Sequence, residues 1–144
     1  ILIYFTATLG YAKFTQPRIK KPKLMSYDVQ GLLSDITSLM EKEKLYLDTN
    51  FALPKMANEL NTTVASVSAA LNNELNISFS DFVNRYRVEE VKSKLEAGAL
   101  DKYTLAAVAE EAGFKSKATF YRAFQKFTGQ SPTSYLENSM TAAK

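Results

Sequence analysis

Residues 113 to 132, "GFKSKATFYRAFQKFTGQSP", carry four cations, Lys115, Lys117, Arg122 and Lys126, and no acidic residue. A local positive field of this kind suits a polyanion such as a phosphate backbone. Arg122 has the planar fork that pairs bidentately with a guanine edge. Lys115 and Lys126 suit phosphate contacts, which set affinity and register but read no sequence. Lys117, Ala118 and Tyr121 share the outward face of the same predicted helix. Ser116 stands where it can cap that helix, so the N–H groups of the first turn can also meet a phosphate. The aromatic residues Phe114, Phe120, Phe124 and Phe127 in the same stretch are expected to be core.

Other chemistry is scarce. The 144 residues include no cysteine and no histidine, so thiol nucleophiles, zinc fingers and Ser-His or Cys-His catalysis are excluded. The neighbouring acids Glu110 and Glu111 would point apart on a helix. With no convergent acid pair or phosphate loop, no enzymatic activity, metal or cofactor is expected. The net charge of +3 is a weak guide, because Lys13, Arg18, Lys20, Lys21 and Lys23 supply +5 in one acid-free run. The other 13 basic and 15 acidic residues leave the rest slightly acidic, so the local cluster at 113–126 carries more information than the total.

The elements that must hold the cluster follow from apolar spacing. Leu32, Leu33, Ile36, Leu39 and Met40 predict a connecting helix within 27–44. Leu53, Met56, Ala57 and Leu60 predict a short helix with Pro54 in its first turn, and Val64, Val67 and Leu71 a second. A longer helix over 79–97 begins after Ser78 and stops at Gly98. Thr104 opens a helix bearing Leu105, Val108, Ala109 and Ala112, and Gly113 turns the chain into the cationic helix, which ends at Gly129. Ser131-Pro132 starts a last short helix through Leu136, and 138–144 is expected to be a frayed tail.

Two stretches repeat. Leu53, Met56, Ala57, Leu60 and Asn61 correspond to Leu105, Val108, Ala109, Ala112 and Gly113 at an offset of 52, and Val67 and Leu71 to Phe120 and Phe124 at 53. Helix, tight turn, helix, stated twice, is a tandem helix-turn-helix plan. The expected fold is therefore all-α, with a first unit over 45–97 that includes the long linker helix and a second over 98–137. A linker of nineteen residues would span about 28 Å. Successive major grooves on one face of DNA lie about 34 Å apart, so one chain can be expected to set two recognition helices into neighbouring grooves.

The front of the chain is of another kind. "ILIYFTATLGYA", residues 1–12, is apolar, and 13–26 is a basic linker with Pro17 and Pro22. An apolar run followed by cations is expected of the cytoplasmic end of a truncated transmembrane helix; the alternative is a buried strand or helix of a missing upstream domain.

"TLAAVAEEAGFKSKATFYRAFQKFTGQSPTSYL" resembles the second helix-turn-helix of AraC/XylS-family transcription regulators. The resemblance rests on Ala109, Gly113-Phe114, Ser116, Phe120, Arg122, Phe124, Gly129, Pro132 and Tyr135. "FALPKMANELNTTVASVSAALNN" resembles the more variable first unit and "FVNRYRVEEVK" the connecting helix, so about 45–137 is covered. It implies sequence-specific binding of double-stranded DNA and a separate sensor or dimerisation region, with RNA polymerase and a second copy of the chain as candidate partners. "LMEKEKLYLDTNFAL" is similar to the branch whose sensor is an integral-membrane region, implying a cytoplasmic DNA-binding domain anchored to the inner membrane. By carry-over, Ala65, Ser68 and Ala69, with Ser66 beside them, are groove-facing in the first unit. Family members often have large polar residues there. Here the side chains are short, so the second unit is expected to supply most discrimination. Arg85 and Arg87 in the linker helix are candidates for phosphate contact or domain salt bridges. The rival expectation is a helical protein-interaction module whose cationic surface binds an acidic protein.

Overall fold

The computed structural model describes residues 28–142. The apolar run and basic linker of 1–26 lie outside the described residues. Seven α-helices and three short helical turns follow one another, with no strand among the described residues. Helix α1, Val29–Ser38, passes into a π turn at Leu39–Glu43 and stops at Lys44, whose φ is 47°. A 3-10 turn, Leu45–Leu47, leads to α2, Leu53–Glu59, and α3, Val64–Leu75. The linker helix α4 is Phe79–Glu96. After a 3-10 turn at Ala99–Asp101 come α5, Leu105–Glu111, α6, Lys117–Thr128, and α7, Pro132–Ala142.

The duplication holds at atomic level. Helices α2 and α5 have the same length at an offset of 52, and α3 and α6 the same length at 53. Both turns use a residue at positive φ, Asn61 at 50° and Gly113 at 98°. Both close with the same bonds: Thr62 N donates to Ala57 O at 2.9 Å, and Phe114 N to Ala109 O at 3.0 Å. Each second helix is capped by a hydroxyl. Thr63 Oγ1 accepts from Ser66 N at 3.0 Å and Ser116 Oγ from Thr119 N at 3.2 Å. Each ends in the left-handed region, at Asn76 and at Gly129. The match even reaches the next helix, since Ser78 and Ser131 cap α4 and α7 at the same offset of 53.

The core is split in two along α4. Phe82 and Val83 belong to one buried cluster with Leu32, Ile36, Met40, Met56 and Leu71. Val88 and Val91 belong to the other, with Val108, Ala112, Phe114, Phe120 and Phe124. Ala57 and Ala109, equivalent residues of the two units, are both buried. The structure differs from sequence expectation in two places. Helix α1 buries Leu32, Ile36 and Met40 in the first core, so it is an integral part of that unit rather than a connector. Helix α7 runs to Ala142, past Leu136 and through most of the expected tail.

Candidate nucleic-acid interface

Helix α6 is amphipathic in the required sense. Phe120, Ala123 and Phe124 face inward, while Lys117, Ala118, Arg122, Gln125 and Lys126 are exposed. The inner face is fixed by aromatic packing: Phe120 meets Phe114 at 5.2 Å and Phe124 at 5.7 Å between ring centroids, and Phe124 meets Tyr135 of α7 at 5.4 Å. Phe127 is only partly buried and lies at the edge of the cluster. Tyr121 is half-buried, its ring edge-on to Phe120, and Lys117 Nζ sits 5.4 Å from the Tyr121 ring centroid. A cation over an aromatic face at this distance is a favourable electrostatic contact. Arg122 is exposed and has no ion-pair or hydrogen-bond partner among the described residues.

The remaining predicted contacts are placed less freely. Lys126 is exposed, but its ammonium lies 2.8 Å from Asp81 Oδ2 at the start of α4. The Lys126 bond, more than any other contact, holds the Asp81 carboxyl below its ordinary pKa. Asp81 thus gives its carboxylate to Lys126, while its backbone N–H takes the Ser78 cap at 3.1 Å. Lys115 Nζ donates to Asn50 Oδ1 at 3.0 Å. Ser116 is exposed at the head of α6, where its hydroxyl caps the helix.

In α3 the equivalent outer face is Ala65, Ser68 and Ala69, where the exposed Ala65 and Ala69 offer methyl groups only. The Ser66 hydroxyl is 2.8 Å from Thr63 Oγ1 and is engaged in the cap. Ser68 Oγ accepts from Asn72 Nδ2 at 3.2 Å. Asn72 is exposed, one further helical turn along this face, and corresponds to Gln125 of α6. Sequence reasoning missed both amides. The signal was available, since Ala65, Ser68, Ala69 and Asn72 follow i, i+3, i+4, i+7 spacing and the repeat maps them onto Ala118, Tyr121, Arg122 and Gln125.

The two linker arginines part company. Arg85 is exposed and lines a hollow of about 450 Å³ with Thr37, Leu75, Ile77, Phe82, Tyr86 and Glu89, none of them from α6. It is not brought together with the α6 cations. Arg87, expected at a phosphate or in a domain salt bridge, is instead buried, 8% exposed, and turned to the protein interior. Its Nε donates to Tyr46 O at 2.7 Å and an Nη to Asp48 O at 2.9 Å. The guanidinium also lies 6.0 Å from the Phe114 ring centroid. Burial pulls its pKa down, with the Asp48 charge opposing. A buried cation is tolerable only when hydrogen-bonded, and two backbone carbonyls supply that here. Among the described residues Arg87 makes no salt bridge, and the two carbonyl bonds tie it to the 46–48 segment.

A helix-turn-helix domain family matches residues 56–138, more than half of the chain. The chain belongs to the AraC-type helix-turn-helix family. The family is one of DNA-binding regulators rather than enzymes. An uncharacterized HTH-type transcriptional regulator of Staphylococcus aureus (strain MSSA476) is 27% identical over 108 residues, covering 74% of this chain and 14% of that protein. The chain therefore spans about one-seventh of the length of that relative. A protein of unknown function from Listeria innocua superposes with a TM-score of 0.59 at 28% identity, over 76% of this chain and 95% of that one. The C-terminal domain of AraT, a response regulator from Geobacillus stearothermophilus, gives a TM-score of 0.60 at 24% identity, over 76% and 84%. That likeness speaks to the AraC-type fold. No helix among the described residues is long and apolar enough to cross a membrane.

Proposed function

We propose that this chain is the DNA-binding part of a transcription regulator, in which one monomer presents α3 and α6 to successive major grooves. The observation that carries this is the α6 ridge: Lys117, Arg122 and Gln125 stand exposed, with Tyr121 partly so, on a helix whose opposite face is locked by Phe120 and Phe124. Helix α4, with 18 residues, is about 27 Å long and contributes to the cores of both units. Successive major grooves on one face of DNA lie about 34 Å apart, and any shortfall in the spacing of α3 and α6 is met by bending of the duplex toward the protein.

The two heads divide the work. In α6, Arg122 reads guanine, Gln125 is suited to adenine, and Lys117 and Lys115 meet phosphate, with the Ser116-capped helix start beside them. Ala118 and Tyr121 supply shape. In α3, Ala65 and Ala69 can meet thymine methyls while Ser68 and Asn72 form the polar edge; Ser66 serves the cap. The second unit therefore carries most of the base discrimination. Selection of bound sequences from a random duplex pool tests this. The expected product is two information-bearing segments about one helical turn apart, the α6 segment the sharper; a pool with no enrichment would overturn it.

The sequence of residues 1–26 further supports a membrane tether, with an apolar run followed by cations. Fractionation of the full-length protein decides that point: recovery in the membrane pellet after a high-salt wash supports a tether, and recovery in the soluble fraction contradicts it.

A further inference from the structure

Two helix-turn-helix units on one helix do not by themselves fix a DNA spacing. Each unit has its own core, and the units could swivel on α4 if nothing else joined them. One further junction lies beside Arg87, between the two cores. Arg87 leaves α4 between Val83 and Val88, the last residue of one cluster and the first of the other. Its guanidinium bonds the carbonyls of Tyr46 and Asp48, in the segment before α2. From the other side the turn of the second unit closes over it. A Cβ on Gly113 would collide with the Tyr46 carbonyl oxygen and stand 2.8 Å from Arg87 Nε, so the backbone of this turn lies directly on the junction. Phe114 covers the guanidinium, and Lys115 reaches Asn50 at 3.0 Å. Tyr46 is held in turn by Glu90, whose Oε2 accepts its hydroxyl at 3.0 Å. At the equivalent turn of the first unit, Asn61 is exposed, whereas Gly113 is buried.

We infer that Arg87 is a positioning residue for DNA readout: by tying the 46–48 backbone, α4 and the Gly113 turn together, it sets the spacing between the two DNA segments that the protein accepts. The inference rests on the two-groove reading above. A Lys in its place keeps the charge but cannot bond both carbonyls with one planar fork.

The test uses the selected duplex and versions with one or two base pairs inserted or removed between its two segments. The unaltered chain should favour one spacing, losing at least about tenfold on a single insertion, since the second contact set is then misdirected. Arg87→Lys should flatten that profile to within about threefold while keeping a cooperative urea transition. Because the chain has no cysteine, spin labels at Asn73→Cys and Glu110→Cys report the distance between units without DNA. That distribution should be narrow in the unaltered background and broad with Arg87→Lys, and Arg87→Gln repeats both readouts with the charge removed. Spacing independence in the unaltered chain would sink the two-groove reading itself. Spacing preference retained by a folded variant, with a uniform loss of affinity and an unchanged distance distribution, would show that Arg87 merely supports the fold and would overturn this inference alone.

Discussion

Gly113→Ala and Gly129→Ala make a matched pair that isolates how tightly the second turn is packed. Both glycines have positive φ, 98° and 78°, so both substitutions carry backbone strain of about 1–2 kcal/mol. Their surroundings differ. Nothing lies within 4 Å of a Cβ built on Gly129, whereas one on Gly113 meets the Tyr46 carbonyl and Arg87 Nε. Relieving that collision means moving backbone or breaking the 2.7 Å Arg87–Tyr46 bond. Overpacking typically costs about 1–3 kcal/mol and a hydrogen bond to a charged group contributes about 1.5–3, and the two are alternatives rather than a sum. Gly129→Ala should therefore destabilise by about 1–2 kcal/mol and Gly113→Ala by about 2–5. Urea unfolding followed by far-UV circular dichroism gives both numbers. Equal losses for the two variants would refute the reasoning, because they would mean that the Gly113 turn does not rest on the Tyr46–Arg87 junction.

Three other outcomes are expected. Arg122→Ala should cost about 1–3 kcal/mol of specific binding and relax preference at one base pair, as measured by mobility shift on single-base variants of the selected site; unchanged base preference would remove Arg122 from the reading face. Asp81→Asn should free Lys126, strengthen binding to random duplex and steepen its salt dependence, whereas Lys126→Ala should weaken specific and random DNA about equally with a shallower slope; a loss confined to the specific site would contradict the phosphate role. Tyr46 should be among the last tyrosines to ionise, because burial first and the Glu90 hydrogen bond second push its pKa up to about 12. A raised value means that its stabilisation is whole below the ordinary tyrosine pKa and is lost as pH rises through about 12. Ultraviolet titration of the chain and of Tyr46→Phe checks this, and identical alkaline limbs would contradict it.

The repeat was legible in the sequence because its signals are local. Apolar spacing and the Ser78, Thr104, Ser116 and Ser131 caps each involve residues a few positions apart, and all four caps accept the expected N–H. The Thr63 cap and the Asn72 and Gln125 amides could have been found by carrying the 53-residue offset across the whole unit. Other features have no local trace. The Lys126–Asp81 pair joins residues 45 positions apart, and the Arg87 partners are backbone carbonyls 41 and 39 positions away. A carbonyl acceptor leaves no mark in residue type, so an arginine bound to one looks like any cation on a helix. The burial of α1 in the first core escaped for a related reason: an amphipathic stripe says that a helix packs, not what it packs on.

The central claim, two unequal heads of one monomer in adjacent grooves, is tested most directly by guanine-methylation interference on the selected duplex at one chain per site. Interference is predicted in two major-groove segments on the same face, about one helical turn apart, with the stronger segment lost on Arg122→Ala. A single segment at that stoichiometry, or two segments that need two chains, would contradict it.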